Sequence, residues 1–153
     1  MRALDPLIPQ VHGTAGRPEY LAADVELVEG DVRDAAAVRG ALTGVDAVVH
    51  LAARVGVGQS MYEMAEYTSA NSLGTAVLLE ALAERPVRKL VVASSMSIYG
   101  EGLYRASSGR EVEPEQRARE QLERREWDYA GLEPLETPER KRAGLTSIYS
   151  LTK

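Results

Sequence analysis

The sequence predicts an α/β protein with a doubly wound, parallel sheet. Three observations carry that prediction. Short apolar runs at 25–29, 46–53 and 88–94 alternate with helical stretches, the rhythm of βαβ units. The run Asp46-Ala47-Val48-Val49-His50-Leu51-Ala52-Ala53 is nearly continuous, the pattern of a parallel strand buried on both faces. Gly30, Gly44 and Pro86 punctuate the alternation.

Each element has a local reason. Arg2-Ala3-Leu4-Asp5 reads as the end of a strand before Pro6. Val25-Glu26-Leu27-Val28-Glu29 alternates, and Gly30-Asp31-Val32-Arg33-Asp34 turns the chain. Asp34 is placed to cap a helix that runs through Leu42 and ends near Gly44. Gly56 and Gly58 mark a loop after the second run. A long helix follows over about 62–84, with Pro86 beyond its end. Residues 88–94 form the next buried strand. The stretch 103–144 differs: it is highly charged and broken by Pro114, Pro134 and Pro138. Within it, 115–127 reads as an exposed helix with Glu115/Arg119 and Glu120/Arg124 pairs. That helix fits a solvated surface; the whole segment could also form a wall over a site, and Trp127 and Tyr129 suit either.

Bulk properties narrow the function. A chain of 153 residues, 44% hydrophobic and 27% charged, has the make-up of one globular domain. A formal net charge of -5 argues against a general nucleic-acid surface. Cysteine is absent, which excludes disulfides and thiolate metal sites. No apolar run approaches the ~20 residues of a membrane helix, so no membrane partner is expected. Nothing reads as a signal peptide, so the expected location is cytoplasmic.

Chemistry concentrates near the C-terminal end. Tyr149 and Lys153 stand four apart, a spacing that puts both on one face of a helix. An ammonium beside a phenol favours the phenolate, which can take a proton from an alcohol. Upstream, Lys89-Leu90-Val91-Val92-Ala93 runs into Ser94-Ser95-Met96-Ser97-Ile98-Tyr99-Gly100, a strand stopping at hydroxyls. Together these resemble the Ser-Tyr-Lys layout of the short-chain dehydrogenase/reductase superfamily, in its extended branch of nucleotide-sugar epimerases and dehydratases. Five stretches narrow the resemblance to rhamnose-type 4-epimerases. They are Asp5-Pro6-Leu7 with Pro9-Gln10-Val11-His12-Gly13; Val55 to Glu63; Ser94 to Gly102; the charged insertion with Gln121-Leu122 and Trp127; and Thr137-Pro138-Glu139. Relatives often carry a cysteine pair in the insertion, which this chain lacks.

The resemblance implies a Rossmann-like sheet of strand order 3-2-1-4-5-6. Its first strand-helix unit and C-terminal substrate domain are expected to be missing. Residues 1–153 are then a partial NAD-binding domain with an insertion at about 103–145, a fragment of a longer protein. No G-x-x-G-x-x-G run exists; after Gly56-Val57-Gly58, Met61 stands where the third glycine belongs. Losing the first strand opens a gap in the middle of the sheet.

The resemblance also implies roles. Ser95, Tyr149 and Lys153 are the expected catalytic set. NAD is expected against Asp5 (ribose hydroxyls), Asp31 and Val32 (adenine), Leu51, Ala52 and Ala53 (close backbone), Asn71, Tyr149 and Lys153. A nucleotide sugar is expected against Gln59, Ser60, Ser95, Ser97 and Tyr149. Read locally, Asp5 could be a turn residue, Asp31 a helix-initiating turn, Asn71 a surface residue and Ser95 a strand end satisfied by backbone. His50 reads as a packed core histidine, and no metal is expected. Related 4,6-dehydratases carry an Asp-Glu pair where Met96 and Ser97 stand, so elimination of water is disfavoured. The implied activity is 4-epimerisation by transient oxidation, with a homodimer at full length. A 4-ketoreductase, a UDP-sugar 4-epimerase and a non-catalytic fragment are the alternatives.

Overall fold

The structure is a computed structural model and describes residues 1–13 and 16–153. Strands β1 (Arg2–Asp5) and β2 (Glu26–Glu29) pair in parallel, Arg2 opposite Glu26 and Asp5 opposite Glu29. Strands β3 (Ala47–His50) and β4 (Lys89–Val92) form a second parallel pair. The two pairs are not hydrogen-bonded to each other. In the order 3-2-1-4-5-6, the division falls where a first strand would stand, as the sequence predicted. β1 and β3 therefore each keep an edge without a strand partner among the described residues.

Helix α1 (Pro9–His12) is a single turn after β1. Helix α2 (Ala35–Ala41) begins where Asp34 predicted: the Asp34 carboxylate accepts the amides of Ala36 at 2.8 Å and Ala37 at 3.2 Å. Such a cap is worth about 1 kcal/mol. The expected loop at Gly56 and Gly58 instead contains one helical turn, α3 (Val57–Ser60). Gly56 enters it at φ 137°, a conformation that favours glycine. The expected long helix is present but not uniform. It starts as α4 (Met64–Tyr67), widens into a π-helical turn over Thr68–Leu73, and continues as α5 (Gly74–Glu84).

The main core lies between α2, α5 and one face of the strands. Val38 and Leu42 meet Leu78 and Ala81, with Leu4, Val48 and Leu90 packed beneath. The opposite face is open. Val49 is 64% exposed and its cross-strand partner Val91 45%, so the expectation of strands buried on both faces is not met. Helices cover one face only among the described residues.

The charged segment is built on a three-stranded antiparallel sheet that the sequence reading lacked. Its strands are β5 (Leu103–Ala106), β6 (Glu111–Val112) and β7 (Leu132–Leu135), in the order β6-β5-β7. The expected helix over 115–127 shrinks to α6 (Arg119–Glu123). The side chains of Tyr129 and Arg117 explain the loss. Tyr129 donates its hydroxyl to the Glu115 carbonyl at 2.6 Å, and the Arg117 guanidinium lies 4.5 Å over the Tyr129 ring. These contacts keep 115–117 outside the helix, and Ala118 enters it from extended backbone. Arg125, at φ 61°, ends the helix. The predicted ion pairs are replaced by Arg119–Glu123 and Arg124–Glu126. Helix α7 (Ile148–Leu151) closes the chain. No described helix is long and apolar enough to cross a membrane.

Candidate active site

Local caps and one long-range bond fix the start of helix α7. Ser147 and Ser150 form a reciprocal capping box, each side chain accepting the other's backbone N–H at 3.0 Å. The Tyr149 amide is satisfied from another element: it donates to Ser60 Oγ at 3.0 Å. Tyr149 is buried, and the Tyr67 ring meets it edge-on, centroids 6.5 Å apart at 88°. Lys153 follows the C-cap Thr152, whose backbone is still in the right-handed helical region.

The end of β4 reaches this helix. Ser94 Oγ donates to the Lys153 carbonyl at 3.1 Å, which places 94–97 beside 149–153. Ser95 is half-buried and caps a 3₁₀ turn, Met96–Tyr99, by accepting the Ser97 amide at 3.2 Å. The backbone-capping alternative for Ser95 is thus realised, and its hydroxyl proton stays available to a partner. Ser97 is half-buried and Met96 is 85% exposed.

Asn71 stands in the π-helical turn, where the extra residue per turn alters which side chains face inward. It is buried. Its Oδ1 accepts the Arg54 amide at 2.7 Å, and its Nδ2 donates to the Arg54 carbonyl at 3.2 Å and to Thr152 Oγ1 at 3.0 Å. Asn71 thus ties the segment after β3 to the end of α7, and is not a surface residue. Thr152 and Tyr67 were missed in the sequence. Thr152 has no local signal, since its partner is 81 residues away; Tyr67 is marked only by its spacing of one turn from Asn71.

The expected cofactor residues gather at the carboxyl ends of parallel strands, where α/β sheets bind ligands. Asp5 ends β1. Its Oδ1 accepts the Leu7 amide at 2.8 Å and lies 3.3 Å from His12 Nε2. Asp31 follows β2, with both carboxylate oxygens on Arg33 at 2.9 and 2.6 Å. The Arg33 hydrogen bond holds the Asp31 carboxyl below its ordinary range, against opposing burial. Arg33 and Arg54 also share Glu66, each at 3.1 Å. Val32 packs on α5, so close to Gly74 that a Cβ there would meet it at 2.4 Å. Leu51 is exposed, and Ala52 and Ala53 half-buried, just beyond β3. His50 is buried with Nε2 2.9 Å from Thr75 Oγ1, as a packed core histidine should be. Burial pushes its imidazole down, and the nearby Lys153 ammonium adds to the effect. This set fits the ribose-bearing ends of a dinucleotide: a half-exposed carboxylate closes β1, and small residues follow β3. A glycine turn for the pyrophosphate is not among these residues.

Two expected sugar contacts behave differently. Gln59 is half-buried, and its Oε1 accepts Gln10 Nε2 at 3.0 Å while its Nε2 donates to Glu63 at 2.9 Å. Ser60 is 0% exposed. Its hydroxyl donates to the Val57 carbonyl at 2.6 Å and accepts the Tyr149 amide. It faces helix α7 and not open space, so the expectation of a sugar contact there is corrected.

The insertion attaches to the same site. The Gly144 amide donates to the Ile98 carbonyl at 2.7 Å, and the deeply buried Lys141 ammonium donates to the Tyr99 carbonyl at 2.9 Å. An open recess of about 500 Å³ lies between Tyr99-Gly100 and Glu113 to Gln116. The segment is therefore a wall beside the 3₁₀ turn rather than a detached excursion.

The chain is similar to known proteins in sequence and fold. Residues 5–129 match the NAD dependent epimerase/dehydratase family. The chain is 37% identical to dTDP-L-rhamnose 4-epimerase of Burkholderia thailandensis over 98% of its own length and 43% of that protein. It is 38% identical to UDP-glucose 4-epimerase of Corynebacterium glutamicum over 58% of its length and 27% of that protein. The solved NAD complex of Thermus thermophilus UDP-glucose 4-epimerase superposes with a TM-score of 0.68 at 26% identity, over 99% of this chain and 39% of that one. The chain thus spans less than half the length of these relatives. Fold, strand-end placement and sequence agree: the chain belongs to the NAD dependent epimerase/dehydratase family.

Proposed function

We propose that these 153 residues are the partial NAD-binding domain, with its insertion at 103–145, of a nucleotide-sugar 4-epimerase of the dTDP-L-rhamnose type. The observation that carries this reading is the junction of the β4 end with α7 through Ser94 and Lys153, at a strand end that offers Ser95, Met96 and Ser97 but no carboxylate. The 37% identity to a dTDP-L-rhamnose 4-epimerase across nearly the whole chain supports the sugar. In this reading Tyr149 takes the proton from the sugar O4 and returns it, and the Lys153 ammonium stabilises the phenolate. Ser95 hydrogen-bonds O4 and relays its proton; Gln59 and Ser97 contact the sugar. Asp5 holds the adenosine ribose hydroxyls, and its charge disfavours a 2′-phosphate. Bound NAD supplies a reversible hydride acceptor for C4. The enzyme acts as a homodimer.

The test uses the enzyme that carries this sequence. Tyr149→Phe should lower C4 epimerisation of dTDP-L-rhamnose by about 10²-fold or more while NAD is retained. In heavy water the wild type should leave carbon-bound positions unlabelled, because nothing beside Ser95 is basic enough to exchange the C5 proton. Deuterium at C5 with loss of water would make it a dehydratase. Turnover of UDP-hexoses alone would move the assignment to the UDP-sugar 4-epimerases, and turnover retained by the Phe variant would remove Tyr149 as base.

A further inference from the structure

We propose that Ser60 is a positioning residue for the reaction: its hydroxyl fixes Tyr149 by capping the helix that carries it. The inference rests on the reading of Tyr149 as the base. The amides of a helix's first turn have no partner in the intrahelical ladder, and Tyr149 is the second residue of α7. The capping box satisfies only the Ser150 amide within α7. The Tyr149 amide is buried and finds its acceptor 89 residues away, in Ser60. The geometry of that hydroxyl is determined. Its single proton goes to the Val57 carbonyl at 2.6 Å, so a lone pair is left pointing at the Tyr149 amide. Ser60 is itself 0% exposed, so water cannot replace it.

The connection reaches further than one amide. Ser60 ends α3, next to Gln59, and the Tyr67 hydroxyl pins the start of the same turn by donating to the Val55 carbonyl at 3.0 Å. The Tyr67 ring then lies edge-on to Tyr149. One rigid unit, 55–60 with Tyr67, therefore holds the Tyr149 backbone through Ser60 and its ring through Tyr67. A base displaced by about 1 Å can lose on the order of 10²-fold in rate.

The experiment compares Ser60→Ala with Val38→Ala, a cavity variant in the distant α2–α5 core. Amide exchange at Tyr149 and the steady-state constants are read in the same enzyme. Ser60→Ala should speed Tyr149 amide exchange and lower kcat by about 10- to 100-fold, with KM and retained NAD unchanged. Val38→Ala should lower thermal stability at least as much without that selective loss of kcat. The proposal is overturned if the Tyr149 amide stays protected in Ser60→Ala. It is equally overturned if kcat falls no more than in Val38→Ala. Failure of the underlying reading shows separately, as turnover retained by Tyr149→Phe, and the exchange arm decides the cap either way.

Discussion

His50 is the residue whose environment makes the sharpest claim. Thr75 gives its hydroxyl proton to the Asn71 carbonyl at 2.5 Å, so the His50 nitrogen 2.9 Å away must carry a hydrogen. The neutral ring satisfies this, and burial with the Lys153 ammonium nearby lowers its affinity for a second proton below the ordinary 6.5. The sign follows from linkage. The unfolded state binds the proton more readily, so His50 contributes stability above about pH 6.5 that is lost as pH falls below it. Melting should therefore drop between pH 7.5 and 5.5, and His50→Asn should flatten that slope. Asp31 and Glu66, both held below the ordinary carboxylate range by arginine hydrogen bonds, remain ionised across this window. An unchanged slope in the Asn variant would refute the assignment. At this scale the sequence was legible where a residue's role depends on its own strand: His50 as core, Asp34 as cap. At Ser60 the expected sugar contact came from the resemblance alone, and no local signal shows its burial, which is decided by α7, far away in sequence.

At the scale of elements, the close approach of α5 to the turn after β2 is held by one glycine. Gly74 in an exposed helix would gain about 1 kcal/mol on replacement by Ala. Here the new Cβ would meet Val32 Cγ1 at 2.4 Å, a contact that requires movement. Gly74→Ala should thus destabilise by about 1–3 kcal/mol in urea unfolding. Adding Val32→Ala should recover part of that loss; if the double variant were less stable than the sum of the two, the clash would not be the cause. The βα alternation was readable because Asp34, Gly44 and Pro86 act locally. The π-helical turn around Asn71 was not, since it follows from the side chain's bonds to Arg54 and Thr152. Nor was the sheet in the insertion: β5 pairs with β7 across more than twenty residues, and the charges along 115–127 masked the tertiary pull of Tyr129 and Arg117.

For the whole molecule, the separation of the two strand pairs controls what a polypeptide of these 153 residues can bind. Asp5 belongs to the first pair and Leu51 to Ala53 follow the second. The pairs are connected through the α2–α5 core, not through strand hydrogen bonds, so one face of β3 and β4 stays open to water. A dinucleotide must touch both pairs at once. Without a strand between them, fixing their separation costs entropy on binding, and the favourable meeting of a pyrophosphate with a glycine turn at a helix N-terminus is not supplied. Calorimetric titration of the 153-residue polypeptide with NAD should accordingly show dissociation constants well above micromolar. The same polypeptide should bind an apolar dye through the exposed face at Val49 and Val91. Adding a parallel strand and its glycine turn in cis should suppress dye binding and tighten NAD together, because both effects have the same origin in the unpaired edges of β1 and β3. Micromolar NAD binding by the 153 residues alone would mean that the core already fixes the spacing between the pairs.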